Sequence, residues 1–336
     1  MSELADVLGN PEWLPHSLDA ANNRIALARI PQEVRDDLTF LADFKPSSDR
    51  EVCWLSLRDF VENAPQARPV HFIFHSAFCR STLLVQALGA LEGVAGLSEP
   101  LILNHLQSAG PAASSLVAPT SAWLSRPMSD ERAVIVKPSN FANGTIPQLL
   151  DQNRDAKGVL LFGELGAFLR SVAKKGLGGR IWARRQLAHC RAIMPLDLGM
   201  DEKAHFELTD LQCAGLAWLF QMRQFKQLLD TRSDTLRSLA SDDFISDKAG
   251  TLAACAQWFG IDTSAADITD VAEGPLFSSH AKLGGDFSAI QAEQSKAAES
   301  AVVDEEIAQI EQWIGVIMRQ LGLTLPLARP LGMQAA

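Results

Sequence analysis

One stretch restricts the fold more than any other: Val70-His-Phe-Ile-Phe-His75, then Ser76-Ala-Phe-Cys-Arg-Ser-Thr82, then Leu83-Leu-Val-Gln-Ala-Leu88. Phe72, Ile73 and Phe74 make an apolar run of strand length, opened by Pro69. From Leu83 onward Leu84, Ala87, Leu88 and Leu91 recur at helical spacing. Ser81 or Thr82 stands where a helix cap would stand, so the pattern predicts strand, tight turn and helix, with the turn's amides converging on one concavity. Orphan amides and the helix dipole suit such a spot to a phosphate. The same unit also serves in many α/β proteins as a plain connection that binds nothing.

More strands of the same kind follow. Gly93-Val-Ala-Gly-Leu-Ser-Glu-Pro100 is a short apolar run ending in an acid, and proline biases Glu99 to an extended backbone. Ala133-Val-Ile-Val-Lys-Pro-Ser-Asn140 and Val159-Leu-Leu-Phe162 are two further runs, with Thr235 to Leu239 as a last one. Each leads into a loop or helix, which predicts a parallel sheet covered by helices, an α/β fold. The carboxyl ends of such strands are where open α/β sheets bind ligands, and Glu99 and Lys137 both stand there.

The flanks read differently. Residues 1–65, punctuated by Pro11, Pro15 and Pro31, are expected to be a helical extension packed on a main domain of residues 66–336. Residues 108–121 and 272–288 read as loops, Leu208 to Leu229 and Lys248 to Phe259 as helices, and Val302 to Leu321 as a terminal amphipathic helix.

Bulk properties exclude several classes. A net charge of −10 argues against a nucleic-acid binder, while leaving room for a local basic pocket. Five cysteines are scattered without a Cys-x-x-Cys pair, the pattern of reduced thiols in a cytoplasmic protein rather than of a disulfide framework or zinc site. No metal is expected. No apolar run approaches the roughly 18 residues that span a bilayer, and the amino terminus lacks the apolar core of a signal peptide.

Phe74-His-Ser-Ala-Phe-Cys-Arg-Ser-Thr-Leu-Leu84 resembles the 5′-phosphosulfate loop of the P-loop sulfotransferases. In that family a basic residue, a small residue, Gly and two hydroxyl residues precede a Leu-rich helix. Ser81 and Thr82 match the hydroxyl pair, while Phe78 stands at the basic position and Arg80 at the Gly. The resemblance covers roughly residues 66–290. It implies a P-loop sulfotransferase-like sheet with helical additions at both ends, and 3′-phosphoadenosine 5′-phosphosulfate (PAPS) as donor, with PAP as its product. Ser76, Ala77, Phe78, Cys79, Arg80, Ser81 and Thr82 would then hold the cofactor, together with Ser171, which matches a serine on the 3′-phosphate helix. Lys282, in Ser279-His-Ala-Lys-Leu-Gly-Gly-Asp-Phe287, is the residue carried over to the closing loop. The arginine expected eight residues before Ser171 falls at Gly163, which leaves Arg170, Lys174 and Lys175 as nearby cations.

By the same resemblance Lys137 takes the place of the family's lysine near the transferring group, and Arg80 joins it in stabilising charge. The histidine that cytosolic members carry two residues after that lysine is Ser139 here. Other branches use a glutamate after the second strand, the position of Glu99, with His75 and His105 in reserve. The implied activity is sulfuryl transfer to a hydroxyl or amine of a small acceptor. Two alternatives stand beside it. One is a degenerate sulfotransferase-like binding protein. The other is a P-loop kinase or NTPase, whose Gly-x-x-x-x-Gly-Lys-Ser/Thr signature the loop lacks.

Overall fold

A computed structural model of the chain describes residues 3–128, 132–279 and 301–332. It opens with helix α1 (Glu3–Gly9), strands β1 (Trp13–Asp19) and β2 (Arg24–Arg29), helix α2 (Gln32–Asp37), strand β3 (Val52–Ser56) and helix α3 (Leu57–Glu62). The three strands form an antiparallel sheet in the order β1-β2-β3. A sheet with short helices around it therefore replaces the helical extension expected over residues 1–65. Pro15, read as a helix breaker, lies inside β1 at a register irregularity between Pro15 and Ser17. β1 is an edge strand, where a missing N–H does little harm. The middle strand buries Ile25, Ala26, Leu27 and Ala28.

The chain then alternates. Strand β4 (Val70–His75) is followed by α4 (Ser81–Gly89), β5 (Val94–Ser98), α5 (Leu101–Ala109), α6 (Val117–Leu124), β6 (Ala133–Lys137), α7 (Ile146–Asp151) and β7 (Gly158–Phe162). The rest is mainly helical: α8 (Leu165–Lys174), α9 (Gly176–Ile193), α10 (Glu202–Phe206) and α11 (Asp210–Thr231). Strand β8 (Leu236–Ala240) precedes α12 (Ser241–Ser246), α13 (Lys248–Phe259), α14 (Ala265–Glu273), α15 (Pro275–Ser279) and α16 (Ala301–Gln320). The later strands make a five-stranded parallel sheet in the order β5-β6-β4-β7-β8, flanked by helices. The strands of this sheet, α11, α13 and the terminal helix α16 fall where the sequence pattern places them. Gly260 ends α13 with φ +71°, and Ile261 N donates to Ala256 O at 2.8 Å, closing the helix end.

Residues 108–121 are not a surface loop. A 3₁₀ segment, Gly110–Leu116, runs directly into α6, and Ala113, Leu116 and Val117 are buried. The Ala, Ser and Pro composition that suggests a loop is here small-residue packing, with Pro111 at the start of the turn, where its missing N–H is harmless.

Two compact units divide the chain. One comprises Met1–Phe74, Ser81–Val159 and Ala249–Glu273; the other comprises His75–Arg80, Leu160–Lys248 and Gly274–Ala336. In the first, α4 approaches β5 through glycines. A Cβ on Gly96 would lie 2.5 Å from Val85 O and 3.3 Å from Gly89 Cα. In the second, α11 is the central helix, with Trp218, Leu219 and Phe225 buried. It starts from a reciprocal cap between Thr209 and Gln212. Gly215 admits Ile310 of α16, whose Cγ2 would lie 2.8 Å from a Cβ at that position.

Candidate active site

The loop that leaves β4 holds three non-glycine residues in the left-handed region: Ala77 (φ 67°), Phe78 (φ 49°) and Arg80 (φ 63°). Each such residue costs about 1–2 kcal/mol, so the turn must be held by contacts around it. Ser76 N donates to Leu161 O at 3.1 Å and Ala77 N to His75 Nδ1 at 3.1 Å. The Phe78 ring meets Trp182 edge-on at 4.9 Å and Phe168 at 5.7 Å between centroids. Arg80 Nη1 donates to Ser241 Oγ at 2.7 Å and to Asp242 Oδ1 at 3.1 Å. Left-handed residues in a tight turn gather backbone N–H groups into a concavity suited to an anion. Ser76 is fully buried, and its Oγ has no hydrogen-bond partner among the described residues.

Phe78 and Arg80 are both held by contacts within the loop's own surroundings. Phe78 anchors the turn in an aromatic cluster with Phe168 and Trp182. Arg80, at the position of the expected glycine, adopts a glycine-like backbone.

Glu99 and Lys137 meet at the ends of two neighbouring strands. β5 and β6 pair in parallel with Ser98 opposite Lys137, and Glu99 N donates to Lys137 O at 2.7 Å. The Lys137 ammonium, wholly buried, lies 2.5 Å from Glu99 Oε1 and 5.2 Å from the centre of the Phe40 ring. A buried ammonium needs such a partner, because desolvation without one costs several kcal/mol. Glu99 is not extended as Pro100 suggests; its φ is +50°. The two bonds to Lys137 hold it there. α4 starts at Ser81, which is buried, with Thr82 half-buried beside it.

The remaining candidates are placed as follows. Ser171 lies on α8 and donates its hydroxyl hydrogen to Ala167 O at 2.8 Å. Gly163 O accepts from Trp218 Nε1 at 2.9 Å. A Cβ there would meet Cys79 Cβ at 3.7 Å, an ordinary contact, so crowding does not explain the absent arginine. Arg170 pairs with Asp304 at 3.6 Å. Lys282 lies outside the described residues. His105 Nδ1 accepts from Leu18 N at 2.9 Å, and His75 serves the loop, so both reserve histidines are engaged in structural bonds. On α9, Arg180 and Arg184 pair with Asp210 of α11, and Arg191 with Glu202 of α10.

Sequence reading does not single out Ser241 and Asp242 and misses their contact with Arg80. Their separation of 161 and 162 residues from Arg80 left no local signal for it.

No family model matches the chain, and no curated protein does. Several solved structures do resemble it. The sulfotransferase domain from the curacin biosynthetic pathway is 13% identical, with a TM-score of 0.43, over 78% of this chain and 100% of that one. The sulfotransferase from Alicyclobacillus acidocaldarius is 18% identical, with a TM-score of 0.39, over 71% and 96%. The sulfotransferase domain of the Synechococcus olefin synthase is 17% identical, with a TM-score of 0.41, over 78% and 97%. These neighbours are sulfotransferases. The likeness is one of fold at low scores, and the chemistry of the site is read from this chain's own residues. Among the described residues no helix is long and apolar enough to cross a membrane.

Proposed function

We propose that the protein transfers a sulfuryl group from PAPS to a hydroxyl or amine of a small acceptor. The observation that carries this reading is the pairing of Glu99 with Lys137 at the strand ends, in a chain whose β4 runs into a left-handed, hydroxyl-bearing turn. The donor set fits an oxyanion. Ser76 Oγ is buried with no hydrogen-bond partner among the described residues, Ser81 and Thr82 add hydroxyls at the start of α4, and Arg80 adds a cation. When bound, PAPS supplies the sulfuryl group and a phosphate leaving group.

The protein's part is positioning and charge stabilisation, which dominate transfers of this kind. The turn from Ser76 to Thr82 holds the phosphosulfate end, and Arg80 offsets its negative charge. Glu99 is the general base, its carboxylate taking the proton of the acceptor hydroxyl or amine. Lys137, wholly buried, acts through Glu99 by fixing where that carboxylate points. Ser171 contributes to the 3′-phosphate end and Lys282 to the closing loop.

PAP release in a screen of hydroxyl and amine compounds tests this. With an acceptor found, Glu99→Gln is expected to keep PAP affinity and lose roughly 10²–10⁴ in kcat, the usual worth of a positioned base. Retention of more than a tenth of wild-type kcat by the folded variant would remove Glu99 from the role.

A second reading has its own support. Phe78 in place of a cation and Gly163 in place of an arginine thin the phosphate contacts, as in a scaffold that binds the nucleotide without turning it over. PAP binding with no release of PAP from PAPS for any acceptor would favour it.

A further inference from the structure

The Arg80 guanidinium has three nitrogens, and among the described residues Nη1 is the one engaged, by Ser241 and Asp242. The two partners differ in kind. Ser241 is 3% exposed, so its hydroxyl is a fixed point at the start of α12. The Asp242 side chain is 66% exposed, and the ion pair it makes is solvated and weak. Keeping the bond to Ser241 leaves Nε and Nη2 as a planar edge, the geometry that grips a phosphate or sulfate through two parallel hydrogen bonds. Keeping Asp242 as well puts a negative charge 3.1 Å from the same guanidinium, where it opposes an arriving anion.

We propose that Ser241 and Asp242 are positioning residues for the loop's anion site: Ser241 fixes Arg80 in place, while Asp242 holds its charge until an anionic ligand displaces it. The inference rests on the sulfotransferase reading. It assigns the pair a role in setting cofactor affinity that neither the loop motif nor the strand-end residues carry. Asp242 thereby lowers the loop's affinity for anions and keeps a strained, left-handed cation paired when no ligand is present.

The test is calorimetric titration of PAP into the intact protein and its variants. Asp242→Asn is expected to tighten PAP binding by about three- to tenfold, because a repelling charge is removed while a hydrogen-bonding side chain remains. A purely structural role for Asp242 cannot give this result, since losing a support weakens binding. Ser241→Ala is expected to weaken binding by at least fivefold, with recovery in Ser241→Thr. Wild-type binding with Asp242→Asn equal or weaker would overturn the inference and leave the proposed function standing. No PAP binding by either protein would remove the proposed function itself and the inference with it. Asp242 is exposed, so the deciding variant does not depend on a buried substitution.

Discussion

Glu99 and Lys137 show how far a single residue can be read from sequence. Each is visible as a polar residue closing an apolar strand, and that places both on one edge of the sheet. Their partnership is not visible, because it depends on the register that sets Ser98 opposite Lys137. A lysine at a strand end ordinarily reaches solvent, whereas this one is fully buried. The pair makes a stability prediction separate from catalysis. Glu99→Gln leaves the ammonium buried without its carboxylate and is expected to cost about 2–3 kcal/mol. Glu99→Gln combined with Lys137→Met removes both charges and should recover part of that loss. Urea unfolding of the two singles and the double measures the coupling. Additive losses would mean that the two side chains do not support each other.

Among the elements, the parallel strands are legible because each is a short apolar run with a polar end, and the long helices because their period persists. The amino-terminal sheet is not. Its prolines lie at a bulged edge and in connections, positions that a one-dimensional pattern cannot tell from helix breaks. The loop-like composition over residues 108–121 misleads for a related reason, since small residues serve tight packing as well as turns. Two elements can be tested directly. β4 carries His71, which stacks on Phe259 of α13 at 4.9 Å and accepts from Lys157 N at 3.3 Å. Burial, helped by the Lys157 charge, pushes its imidazole down to about 4. The unfolded chain takes up that proton near the ordinary 6.5, so it binds more protons than the folded chain as pH falls from 6.5 toward 4. Stability should therefore fall over that window by up to about 3 kcal/mol. His71→Phe, which keeps the stack, should flatten this part of the pH profile; an unchanged slope would acquit His71. The seat of α4 on β5 is the second test. Gly96→Ala drives a methyl into Val85 O and should cost about 1–3 kcal/mol in thermal or urea unfolding. A variant as stable as the wild type would show that the helix can move away freely.

At the scale of the whole molecule, a chain of net charge −10 repels an anionic nucleotide from afar, so any affinity must come from local donors. In α9, Arg180, Arg184 and Arg191 are paired with acids. The loop after β4 is where the proposal seats the anion, and the central claim reduces to whether it grips the right one. Thermal unfolding with PAP, and separately with ATP and magnesium, asks this most directly. PAP is expected to raise Tm in a concentration-dependent way, with about 2.7 kcal/mol of added stability at 100 times its Kd, while ATP with magnesium does little. No shift at millimolar PAP, or an equal response to ATP with magnesium, would contradict the account.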